Sequence, residues 1–151
     1  MRLLQAKTPA RWIKPQNLHM TLAFLGEVEA EPMAKAMEAA CLIQSPSVGL
    51  RLDRIEYWRK PQVICLTSAQ PTPAADKLAA ELATRLRQAG FDLEKRPFRA
   101  HLTLARKAAS LPVDARLVKP VEWKSSAFVL AESIRDAQGS HYSIIKSWPL
   151  F

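Results

Sequence analysis

From position 16 the chain reads Gln-Asn-Leu-His-Met-Thr-Leu-Ala-Phe-Leu. Leu18, Met20, Leu22 and Phe24 fall on one parity, and His19, Thr21 and Ala23 on the other, which predicts a strand over 16–25 ended at Gly26. Pro32 then opens an Ala-rich stretch to about Gln44, where Met33, Met37, Ala40 and Cys41 recur at helical spacing. Residues 48–56 and 62–68 read as two strands of a hairpin joined around Trp58-Arg59-Lys60-Pro61. Thr72-Pro73 predicts a second helix, with Thr as N-cap and Leu78, Leu82 and Leu86 on its apolar face. Arg85 and Arg87 favour its C-terminal end, and Gly90 stops it. Residues 98–106 alternate again. Two more strands are expected at about 121–134 and 141–147, around the turn Asp136-Ala137-Gln138-Gly139. This order of elements predicts an α+β fold with antiparallel sheet.

A chain of 151 residues is long enough for one compact domain spanning 1–151. With 48% apolar and 24% charged residues it is globular rather than disordered. No apolar run approaches the roughly 18–20 residues of a membrane span, so no membrane association is expected. The opening Met-Arg-Leu-Leu-Gln-Ala-Lys-Thr-Pro breaks too early for a secretory signal. Cys41 and Cys65 are too few for a disulfide framework and lack metal-ligand spacing, so a reducing cytoplasm is the expected compartment. The 22 Lys and Arg against 14 Asp and Glu give a net charge of +8, which favours a polyanionic partner, nucleic acid first. Basicity serving solubility alone is the competing reading.

The candidate chemistry lies in a repeated tetrapeptide. Two of the three histidines begin the same pattern, His19-Met20-Thr21-Leu22 and His101-Leu102-Thr103-Leu104, 82 positions apart. Chance produces such a pair roughly once in ten thousand, so the chain carries a degenerate internal duplication. In a strand, residues two apart share a face, so each copy presents an imidazole beside a hydroxyl while the intervening apolar residues turn inward. If the two halves pack about a pseudo-two-fold axis, two imidazoles and two hydroxyls face one cleft. Two histidines across a phosphorus suit in-line phosphoester displacement, one taking a proton from the nucleophile and the other giving one to the leaving oxygen. Hydroxyls and a nearby cation would hold the non-bridging oxygens as charge builds. A lone His on a half-buried strand is usually only packed, and His141, without such a partner, reads as structural or exposed. Neither copy has a second ligand at i+2 or i+4, and Thr is a poor zinc ligand, so no metal or other cofactor is expected.

Paired His-x-Thr motifs resemble the two-histidine (2H) phosphoesterase superfamily. The flanks are similar to its RNA 2′,3′-cyclic phosphodiesterases, historically called 2′-5′ RNA ligases. The matching segments are 17–28, with its Phe-Leu-Gly-Glu extension, then Arg96-Pro97-Phe98 leading into 101–106, and the tail from Tyr142 to Leu150. The resemblance implies a bilobal α+β fold, two antiparallel sheets related by pseudo-two-fold symmetry with helices outside. The implied reaction opens a terminal RNA 2′,3′-cyclic phosphate to a 2′-phosphate without metal, with reverse 2′-5′ ligation by microscopic reversibility. His19 would act as general acid and His101 as general base, although pseudo-symmetry leaves the roles exchangeable on sequence grounds. Thr21, Thr103 and Arg106 would bind phosphate. RNA with cyclic phosphate ends is the implied partner, and a monomer is expected. Arg106 lies five residues from His101, on the opposite face of an ideal strand, and shares its side only if the strand ends or bulges near Ala105.

The chain departs from the family pattern in two places. Ala100 stands where relatives usually have Pro before the second His, and Met1 to Lys14 replace an apolar strand and a full helix. A missing strand would leave an open sheet edge, so an N-terminally extended form is expected to be more stable. Two other functions fit the charge. One is a basic RNA-binding protein with a degenerate cleft, in which Arg51, Arg54, Arg59 and Lys60 with Tyr57 and Trp58 form a phosphate-and-stacking surface. The other is a 2H phosphodiesterase acting on a small cyclic nucleotide.

Overall fold

The computed structural model describes residues 8–112, 115, 117, 119–136 and 139–151. In chain order its elements are β1 (Arg11–Trp12), a 3-10 turn (Pro15–Asn17), α1 (Ala30–Cys41), β2 (Val48–Leu52), β3 (Arg54–Trp58), β4 (Val63–Thr67), α2 (Pro73–Gln88), β5 (His101–Arg106), β6 (Val121–Ser125), β7 (Ala127–Asp136) and β8 (Gly139–Pro149). The class is α+β, as expected. The chain divides into two compact units, Met1–Met20 with Leu50–Thr72 and Ala100–Trp123, and Thr21–Gly49 with Pro73–Arg99 and Lys124–Phe151.

The first unit is built on a four-stranded sheet of order β1-β5-β4-β3, antiparallel throughout. All five residues of the inner strand β4, Val-Ile-Cys-Leu-Thr, are buried. A run of four apolar residues closed by Thr67 is what a strand covered on both faces requires, its one polar side chain being hydrogen-bonded. Leu52, Ile64 and Leu104 are the largest side chains fully withdrawn from solvent. Burying each contributes about 2 kcal/mol. The β3–β4 hairpin turns through Gln62 at φ 51°. The predicted strand 48–56 is in fact two. Asp53 interrupts it, giving its backbone N–H to the Thr67 carbonyl (3.0 Å) and accepting the Ala69 N–H on its carboxylate (2.8 Å). β2 pairs with β6 instead of continuing the hairpin.

In the second unit α1 packs on α2. Ala36, Ala39 and Ala40 are the buried residues of α1, while Met33 and Met37 are half-buried and Cys41 is exposed, so small residues rather than the expected Met and Cys make the inner stripe. α2 buries Leu78, Leu82 and Leu86 as predicted. Its end is closed by Gly90 at φ 96°, with Gly90 N–H donating to Arg87 C=O and Phe91 N–H to Leu86 C=O, both 3.0 Å. That pair of bonds is a Schellman cap, and it needs a left-handed residue at this position. The predicted strand 121–134 breaks at Ser126 into β6 and β7. β7 and β8 form a long antiparallel ribbon in which Phe128 stacks on its cross-strand partner Trp148, with ring centroids 5.2 Å apart. The Trp148 indole N–H donates to Cys41 Sγ at 3.1 Å. Within the expected 136–139 turn, Ala137 and Gln138 lie outside the described residues.

The strand predicted over 16–25 does not form. Pro15–Asn17 makes a 3-10 turn closed by Leu18 N–H to Pro15 C=O (3.1 Å), and 18–29 follows as irregular chain. Among the described residues no strand pairs with it, and side-chain alternation without a ladder partner does not make a strand. The burial parity nevertheless holds locally. Leu18, Met20 and Leu22 are half-buried and His19 and Thr21 exposed, but Phe24, expected inward, is 80% exposed.

Candidate active site

β5 carries the second tetrapeptide and behaves as its sequence dictates. Leu102 and Leu104 are buried, His101 and Thr103 half-buried on the other side. Cross-strand partners share a face, so register locates the rest. His101 lies opposite Thr67, and Thr103 opposite Cys65, with Cys65 Sγ and Thr103 Oγ1 3.9 Å apart. The register then slips. Ile64 pairs with Ala105 and Val63 with Arg106, so Leu104 is an extra, unpaired residue on β5.

That bulge inverts the parity beyond it. Val63, Cys65 and Thr67 share one face of β4, and their partners Arg106, Thr103 and His101 therefore share it too. The condition set by the sequence for Arg106 is met one residue from where it was sought. The end of the strand is also fixed. Lys107 takes a left-handed φ of 55°, Ala108 N–H donates to Gln62 C=O (3.0 Å), and the Tyr57 hydroxyl donates to Ala108 C=O (2.9 Å).

Around His101 lies a support that sequence reasoning did not find. The Trp58 ring packs against the imidazole, with centroids 4.6 Å apart and planes tilted by 52°. Glu56 accepts the Trp58 indole N–H on one carboxylate oxygen and the Thr67 hydroxyl on the other, both at 2.9 Å. One carboxylate thus holds both the ring that contacts His101 and the residue opposite it in the sheet. The only signal for this in the sequence is the i, i+2 spacing of Glu56 and Trp58, which puts them on one strand face.

The first motif is held differently. His19 is exposed, and its Nδ1 lies 2.7 Å from the Asn17 carbonyl. A carbonyl only accepts, so Nδ1 is the donor of this bond. Thr21 is exposed on the irregular segment that follows. The basic surface proposed around the β3–β4 hairpin is divided. Tyr57 and Trp58 point to opposite faces as neighbours in a strand must, and Arg51 is engaged by Asp53 (3.8 Å) and Glu122 (3.5 Å). His141 is exposed on β8, across from Ile134. Among the described residues no three His, Cys, Asp or Glu side chains gather as metal ligands, and no helix is long and apolar enough to cross a membrane.

The family model described as the 2′-5′ RNA ligase superfamily matches residues 3–136. The chain belongs to this superfamily. A relative from Escherichia coli K12 named RNA 2′,3′-cyclic phosphodiesterase is 33% identical over 93% of this chain and 80% of its own length. One of the same name from Archaeoglobus fulgidus is 25% identical over 97% of this chain and 87% of its own. Among solved structures, apo E. coli LigT matches with a TM-score of 0.85 and 30% identity, covering 99% of this chain and 87% of LigT. LigT complexed with 3′-AMP matches at 0.83 and 31%, over 93% of this chain and 81% of LigT. The superfamily reading and the α+β fold agree with the residues from which they were first drawn.

Proposed function

We propose that this protein hydrolyses the 2′,3′-cyclic phosphate at the end of an RNA chain to a 2′-phosphate, without a metal ion. The observation that carries the reading is the bulge at Leu104, which sets an imidazole, a hydroxyl and a guanidinium on one face of β5. The names of the relatives support the substrate class. His101 takes a proton from water, whose oxygen attacks phosphorus in line with the 3′ oxygen. The P–O3′ bond breaks, and His19 gives its Nε2 proton to the departing oxygen, leaving a 3′-hydroxyl and a 2′-monoester. The Asn17 carbonyl, accepting from Nδ1, orients that ring. Thr21, Thr103 and Arg106 hold the non-bridging oxygens as the pentacoordinate phosphorus gains charge. With the 5′-hydroxyl of a second chain in place of water, the same displacement joins two ends through a 2′-5′ phosphodiester, the 3′ oxygen again leaving as a hydroxyl. The reading further takes the protein as a cytoplasmic monomer acting on RNA.

The test is turnover of a cyclic-ended oligoribonucleotide in excess EDTA. Wild type is expected to open it with a bell-shaped pH profile, and His19→Ala and His101→Ala each to lose about a thousandfold in kcat. Activity abolished by chelation, or undiminished in either variant, contradicts the proposal.

A further inference from the structure

The same face of the sheet carries two further arginines, Arg54 on β3, which shares its strand face with the carboxylate of Glu56, and one directly beside Arg106. Arg11 on the edge strand β1 is the direct cross-strand partner of Arg106, and Trp12 of Ala105. Being opposite Arg106, Arg11 shares its face, and with it the face of Thr103 and His101. Its strand is secured independently, by Ile13 N–H to Leu104 C=O (2.8 Å) and by the Trp12 indole N–H to Thr8 C=O (3.3 Å). Arg11 and Arg106 are both exposed, and among the described residues neither has a carboxylate partner. Like charges set directly opposite one another in a sheet destabilise it. Two exposed arginines at opposed positions without a counter-charge make a place on the surface that favours anions from solution.

Charge counting says how many. A 2′,3′-cyclic phosphate is a diester and brings a single negative charge, which Arg106 alone balances. The second guanidinium calls for a second phosphate, and an oligonucleotide supplies one at the internal phosphodiester preceding its terminal residue. We infer that Arg11 forms a second anion subsite that takes this internal phosphodiester, so that the enzyme favours RNA chains over free cyclic nucleotides. The inference rests on the proposed reaction for the identity of the first phosphate, and it turns the choice between RNA and a small cyclic nucleotide into a matter of one residue.

The experiment compares wild type, Arg11→Gln and Arg11→Lys on a cyclic-ended trinucleotide and on a mononucleoside 2′,3′-cyclic phosphate. The expected result is that Arg11→Gln lowers the ratio of kcat/KM for trinucleotide over mononucleotide about tenfold, while Arg11→Lys, which keeps the charge, retains most of it. In parallel, binding of a 2′-phosphate-ended trinucleotide is followed against salt, where loss of one phosphate contact flattens the log–log slope by about 0.7. A ratio and a slope both unchanged in Arg11→Gln overturn the subsite. Loss of the same factor on both substrates also overturns it, because Arg11 then serves the terminal phosphate. If wild type turns over neither substrate the proposed reaction fails, and the salt slope still decides the subsite.

Discussion

Glu56 joins stability to chemistry, and its removal has a calculable consequence. Its carboxylate accepts two charge-assisted hydrogen bonds at 2.9 Å, from the Thr67 hydroxyl and the Trp58 indole. Thr67 is 1% exposed, so no water replaces the lost acceptor there. Each bond to a charged acceptor is worth about 1.5–3 kcal/mol, and partial burial on the Trp58 side argues for the lower end. Glu56→Ala is therefore expected to cost about 3 kcal/mol, a fall of about 6–12 °C in Tm for a chain of this size. Glu56→Gln costs less, because its amide oxygen can accept from Trp58 while its NH2 donates to Thr67 Oγ1; about 1–2 kcal/mol is lost with the charge. Adding Thr67→Val to Glu56→Ala removes the orphaned hydroxyl and restores about 1 kcal/mol. The Trp58 ring, having lost its bond to Glu56, holds His101 less closely, and kcat/KM falls about tenfold while the protein remains folded. Urea unfolding with matched kinetics measures both effects. A Glu56→Ala variant that melts within about 2 °C of wild type, or a Thr67→Val addition that lowers stability further, refutes the reasoning.

Arg106→Ala should lower kcat by about 10²–10³ on cyclic-ended RNA, with Lys restoring only part because it lacks the planar fork; steady-state kinetics on both variants checks this. Gly90→Ala is expected to lose about 1–2 kcal/mol in urea unfolding although nothing lies within 4 Å of an added Cβ, since the cost is the backbone's at φ 96°. Lys107→Gly, relieving a side chain from φ 55°, should gain up to about 1 kcal/mol in the same measurement. Trp148→Phe, which keeps the stack on Phe128 and gives up the bond to Cys41 Sγ, should cost about 1 kcal/mol, and Trp148→Ala about 3–5 kcal/mol.

The repeated tetrapeptide and the two helices were legible because each is written locally, in a short motif, a Pro at a helix start or a Gly after its end. β5 followed its alternation as far as Leu104. What periodicity could not supply was pairing. Whether 16–25 becomes a strand depends on a neighbouring ladder, and the same alternation that holds in β5 leaves His19 and Thr21 on irregular chain. Asp53 and Ser126 broke two predicted strands for the same kind of reason, since the partner changes there. The bulge was foreseen only as a condition on Arg106, because nothing in His-Leu-Thr-Leu-Ala-Arg states that Leu104 will go unpaired. Glu56, Thr67 and Arg11 come to share a sheet face with His101 through cross-strand register between segments distant in sequence. Spacing along one chain does not encode that.

The central claim is that a histidine on β5 and one after the 3-10 turn act on a single cyclic phosphate so that the 3′ oxygen leaves. The decisive measurement is the position of the monoester formed from a defined cyclic-ended oligoribonucleotide incubated with the purified protein in EDTA, read by chromatography against 2′- and 3′-phosphate standards. The account predicts a 2′-phosphate formed by wild type and absent with His101→Ala. A 3′-phosphate, or an intact cyclic end after prolonged incubation with wild type, contradicts it.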